Sequence, residues 1–157
     1  MKNIKKLGLA VLLGLVTSQA SAQFLLFAQG PNNFQFTVDD TALPLSVGGA
    51  TSRTFKTTTA NERVVIAYNA ECAYATTAAG DWIGVDIVVD GVVVPPSNSF
   101  DAMCSSDGSN TYVYTRPIMN VFYAVPTAGT HTIQVKGRIG FGTGTGWYGD
   151  STLIITK

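Results

Sequence analysis

The chain is poor in the side chains that most active sites are built from. It has one histidine, His131, and two cysteines, Cys72 and Cys104, among 157 residues. Two cysteines and one distant histidine are too few for a zinc site. They form no C-x-x-C pair, so dithiol redox chemistry has no support. No G-x-S-x-G elbow presents a nucleophilic serine. Charged residues make up only 13% of the chain, ten basic and ten acidic. Without a basic excess a polyanion-binding surface is not the default, and no nucleic-acid partner is expected. Past residue 22 no apolar run is long enough to cross a membrane as a helix, and no stretch repeats with the 3.6-residue period of an amphipathic helix.

What is present begins with an export signal. Lys2, Lys5 and Lys6 precede an apolar run from Leu7 to Val16. Ala20-Ser21-Ala22 follows, with small residues at −3 and −1, so cleavage is expected before Gln23. The run is short of the roughly 20 residues a permanent anchor needs, and no lipobox cysteine stands at the cleavage point. Residues 1–22 therefore read as a signal peptide of bacterial style. Residues 23–157 read as one soluble exported domain, periplasmic or extracellular. That remainder keeps seven basic and ten acidic groups. Two cysteines in an exported domain predict one disulfide, Cys72–Cys104. Closing its loop of about 33 residues is worth about 3.5 kcal/mol in the chain-entropy model.

Period 2 runs through the rest. Phe34, Phe36 and Val38 alternate with Asn33, Gln35 and Thr37. Val64, Ile66, Tyr68, Ala70 and Cys72 share one face. Asp90-Gly91, between two valine-rich runs in 82–95, predicts a type I′ hairpin ended by Pro95-Pro96. Residues 118–125 form an apolar run. In 131–139, Ile133, Val135 and Ile139 face in, while Thr132, Gln134, Lys136 and Arg138 face out. The last strand lies near 147–156, with Leu153 and Ile155 on one side. Segments 24–28 and 51–58 are weaker candidates, and the Gly/Thr stretch 140–146 reads as a mobile loop. The expectation is an all-β antiparallel sandwich of eight or nine strands, jelly-roll-like.

The segment PTAGTHTIQVKGRI followed by GWYGDSTLIIT resembles the closing strands of compact TNF/C1q-like jelly rolls. Small exported bacterial proteins of unknown function are similar in layout, with a VDGVVV hairpin ahead of a cysteine loop. The resemblance covers roughly residues 37–157. It implies a jelly roll that associates through flat sheet faces, commonly as trimers, and it assigns no catalytic residue.

The remaining constellations have structural readings. Gly144-Thr145-Gly146-Trp147-Tyr148-Gly149 matches G-x-G-x-x-G by letter, but a strand follows where a dinucleotide site needs a helix. His131, at the start of a strand, would be the only general base for a triad. Most carboxylates sit in turns, as in Asp39-Asp40, Asp90-Gly91 and Asp107-Gly108, where aspartate bonds local N–H groups. Asp86, mid-strand, is either solvent-facing or a buried acid needing Arg63 or Arg116, and Glu71 poses the same question. No cofactor is expected. Calcium, the one cation worth weighing, would take oxygens from Asp101, Asp107 and Asn110, without a D-x-D-x-D-G loop. Trp147, Tyr148 and Asp150 form a weak ligand-binding set, with Tyr112 and Tyr114 alternating on a nearby strand. Phe24, Leu25, Leu26 and Phe27 make an apolar segment, either an edge strand of their own sheet or one added to a neighbour's. The leading expectation is a non-enzymatic β-sandwich acting by self-association or protein–protein contact. The alternative is a module binding carbohydrate or another ligand. A hydrolase using two carboxylates ranks last.

Overall fold

The computed structural model describes residues 22–95 and 102–157. The expected signal peptide and the calcium candidate Asp101 lie outside them, apart from Ala22. The elements are β1 (Phe24–Gln29), β2 (Phe34–Phe36), β3 (Thr41–Ala42), β4 (Arg53–Thr57), β5 (Glu62–Ala75), β6 (Trp82–Val89), β7 (Val92–Val93), β8 (Ala102–Ser105), β9 (Ile118–Val125), β10 (Gly129–Ile139) and β11 (Thr145–Thr156). They occupy eight strand positions. β1 and β2 both lie along β11, β3 and β4 along β10, and β7 and β8 along β6. The first sheet runs β1/β2–β11–β5–β9, and the second β3/β4–β10–β6–β7/β8. Every ladder is antiparallel. This order, with the chain crossing repeatedly between two four-position sheets, is that of an eight-stranded jelly roll.

Alternation places the core. Val64, Ile66 and Tyr68 of β5 and Leu153 and Ile155 of β11 face Val85, Ile87, Ile133 and Val135 of the second sheet, and all are buried. Each such aliphatic side chain contributes about 1.5–3 kcal/mol by leaving water. Cys72 in β5 and Cys104 in β8 are joined as expected, so the disulfide ties one sheet to the other. The Thr115 hydroxyl lies 2.8 Å from Cys104 Sγ. Asp90 and Gly91 both have positive φ, 50° and 82°, as the type I′ turn requires.

Three expectations change. Val38 does not share the face of Phe36. It lies beyond β2 and is 67% exposed, because the chain turns at Asp39-Asp40, where Asp40 has φ 61°. Tyr112 and Tyr114 are not on a strand. Thr115 alone pairs with β5, opposite Cys72, and Pro117 lacks the N–H that would join it to β9. The 140–146 stretch is tied down. Gly140 N–H donates to Trp82 O at 2.8 Å, Phe141 N–H to Asp81 Oδ1 at 2.8 Å, and Gly144 N–H to Tyr74 Oη at 3.2 Å. Glycine is required there by close approach, since a Cβ on Gly142 would overlap the Asp81 carboxylate.

Candidate functional site

The two outer faces of the sandwich differ in chemistry. On the second sheet, Lys136 and Arg138 of β10 stand beside Asp86 of β6 and the Asp39-Asp40 turn. Arg138 lies 3.0 Å from Asp39, 3.1 Å from Asp40 and 3.5 Å from Asp86, and Lys136 lies 2.8 Å from Asp40. Asp86 is thus a buried acid whose cation is Arg138, and neither Arg63 nor Arg116 takes that place. The hydrogen bond from Lys136 is the largest influence on Asp40 and holds its carboxyl below the usual range. A glycosidase general acid needs the opposite shift.

The outer face of the first sheet carries no such network. Its ladders align three cross-strand rows of four residues. The first is Phe24–Thr156–Val65–Phe122, the second Phe27–Ile154–Ala67–Asn120, and the third Gln29–Thr152–Asn69–Ile118. None of these side chains is charged. Phe24 is 69% exposed, Phe27 58%, Ile118 59% and Phe122 77%. A groove of about 420 Å³ beside Phe122 is lined by Arg63, Val64, Val65, Tyr123, Ala124 and Lys157. Lys157 is paired with Glu62. That lysine's hydrogen bond, with those from Thr58 and Thr59, holds the Glu62 carboxyl down at about 2.

At the other end of this face the rows give way to charge and then to aromatics. Asp150, at φ 45° in a β-bulge, lies 3.6 Å from Arg116, and Glu71 pairs with Gly149. Beyond them Trp147 and Tyr114 meet edge to face at 4.9 Å, and Tyr112 stacks on Tyr114 at 6.0 Å. The Trp147 indole donates to Asn33 Oδ1. Of the three residues expected to bind ligand, Trp147 and Asp150 are therefore at the surface. Tyr148 is not, for it packs flat on Phe36 at 5.6 Å in the core and donates to Gly84 O at 2.9 Å. The apolar segment near the N-terminus pairs with its own chain, as β1 on β11. Leu25 and Leu26 pack against the core, and Phe24 and Phe27 point out into the uncharged rows.

No protein-family model matches the chain, and no curated protein matches it. Some solved structures are similar. A D431N mutant VP2 protein of infectious bursal disease virus, in derived T=1 particles, is 17% identical, with a TM-score of 0.38 over 98% of this chain and 36% of that one. Another structure of T=1 particles derived from the same virus is 15% identical, with a TM-score of 0.42 over the same shares. Dimeric latent PorU from Porphyromonas gingivalis is 14% identical, with a TM-score of 0.37 over 88% of this chain and 13% of that one. The chain thus spans about a third of the VP2 chains it matches. These are not TNF/C1q-like proteins.

His131 is buried. Its Nδ1 lies 2.7 Å from Asp90 Oδ2 and its Nε2 3.0 Å from Thr57 Oγ1. The order hydroxyl, imidazole, carboxylate is that of a triad. Thr57, however, is itself 2% exposed, and its hydroxyl lies 3.0 Å from Thr127 O, where it donates. No substrate carbon can approach that oxygen, so the chain of bonds fastens β4, the β6–β7 turn and β10. Among the described residues, no three His, Cys, Asp or Glu side chains gather to hold a metal. Asp107, a calcium candidate, accepts from Ser109 N–H at 2.8 Å in its own turn.

Proposed function

We propose that this protein is an exported, non-enzymatic β-sandwich that works by self-association, as a structural or surface module. The observation that carries the reading is the contrast between its outer faces. One is laced with ion pairs, and the other offers three uncharged rows with four large apolar side chains more than half exposed. Monomers seldom present an apolar patch of more than a few hundred Å² unless something covers it. The cross-sheet disulfide supports an oxidising compartment, periplasmic or extracellular. Light scattering across a concentration series tests the reading. A discrete oligomer is expected, with Phe122→Asp and Phe27→Asp shifting it to monomer. A wild-type monomer at every concentration overturns it.

A second reading, binding of a carbohydrate, has one observation in its favour. Trp147 and the 52%-exposed Tyr114 form an aromatic corner beside the Arg116–Asp150 pair. Sugar rings use such a corner, stacking on an aromatic face while charged groups bond hydroxyls. Glycan screening with Trp147→Ala as control decides it, and binding that survives this substitution removes it.

A further inference from the structure

We propose that two copies of this chain pack the outer faces of their first sheets together, about a twofold axis that runs across the strands over Ala67. The inference rests on the self-association reading and adds its register. Charge fixes the direction of the axis. The uncharged rows end at Arg63 and Lys157 on one side and at Glu71, Arg116 and Asp150 on the other. Lys157 is paired with Glu62 and Arg116 with Asp150. Arg63 and Glu71 have no ion-pair partner among the described residues. They lie on the same face of β5, four residues either side of Ala67.

A twofold axis running along the strands would set Arg63 on Arg63 and Glu71 on Glu71. An axis across the strands sets Arg63 of each copy against Glu71 of the other, and a twofold interface makes that pair twice. The same operation lays Phe122 of one copy over Ile118 of the other, filling a row with a row. It also brings Glu71 of the second copy over the groove that Arg63 and Lys157 line. Four strands at about 4.8 Å spacing and eight residues at about 3.3 Å rise give a flat footprint of about 500 Å² per copy. Two copies bury about 1,000 Å² before the corrugation of the phenylalanines is counted, which reaches the lower bound for a specific interface. Two sheets so placed pack in the aligned mode, about 10 Å apart.

The test uses the purified, naturally processed protein and its charge variants in sedimentation velocity. Arg63→Glu and Glu71→Arg should each weaken the dimer by about 30-fold, because each sets like charges together twice. The double variant R63E/E71R should return to within about 3-fold of wild type. A second measurement leaves the charges alone. Asn120 lies in the row on the axis, so N120C should cross-link to itself with a bismaleimide about 8 Å long, and F122C should not. A dimer that F122D dissociates but the charge variants do not affect overturns the register and leaves the association reading standing. So does a double variant as weak as either single one, or a threefold assembly. A wild-type monomer at about 100 μM, weaker than the micromolar range of modest complexes, overturns both.

Discussion

Asp81→Ala should destabilise the domain by about 3–5 kcal/mol. Asp81 is 3% exposed and accepts three hydrogen bonds, from Trp82 N–H at 2.9 Å, Phe141 N–H at 2.8 Å and Tyr74 O–H at 3.0 Å. A bond to a charged acceptor contributes about 1.5–3 kcal/mol net, and a buried donor left alone costs about 1–3 kcal/mol. Water recovers part of this at the half-buried N–H groups. It recovers little at Tyr74, which is 1% exposed and whose hydroxyl is pushed up to about 12, first by burial and then by Asp81. Asp81→Asn keeps the shape and one acceptor oxygen, so its cost should be about 1–2 kcal/mol. Urea denaturation followed by tryptophan fluorescence measures both. A double-mutant cycle with Tyr74→Phe should show coupling of about 1–2 kcal/mol. If Asp81→Ala costs less than about 1 kcal/mol, or no more than Asn, the carboxylate does not organise this corner and the account is wrong.

Two further predictions concern the same native state. Removing the disulfide as C72A/C104A should cost at least about 3.5 kcal/mol, since the loop entropy returns and two buried side chains shrink, and an unchanged urea midpoint refutes it. Acid should weaken the fold. Bonds hold Asp40 and Glu62 below their ordinary values, and Asp90 too, where His131 and Thr132 outweigh burial. Stability from lowered carboxylates is complete above their unfolded values and is lost as pH falls through the folded ones, so for Glu62 it should fall between about 4.5 and about 2. Flat stability over that window, or no flattening in Glu62→Gln, contradicts the pairing.

Much of the fold was legible in the sequence. Strict alternation marked β5 and β10, and Asp90-Gly91 marked the hairpin, because these signals are local. β3 and β8 were not legible, being two and four residues long and held by neighbours rather than by their own pattern. The ligand set failed at Tyr148 for a specific reason. Leu153 and Ile155 point inward, and uninterrupted alternation from them would turn Trp147 inward and Tyr148 outward. The bulge at Gly149–Thr152, with Asp150 at positive φ, reverses the parity. The uncharged face was invisible for another reason. Phe24, Val65 and Phe122 become neighbours only through register, which no single strand encodes.

The position of the disulfide gives the sandwich a direction. Cys104 sits where β8 meets the Trp82 end of β6, and Cys72 near the far end of β5, so one end of the two sheets is stapled covalently. At the opposite end the ion pairs lie within single sheets, Asp90 with His131 in the second and Glu62 with Lys157 in the first. There the chain itself joins the sheets, crossing from β4 to β5 and from β9 to β10. Protonating Glu62 or Asp90 therefore loosens neighbours inside one sheet, while the bridge and the crossings keep the two sheets face to face.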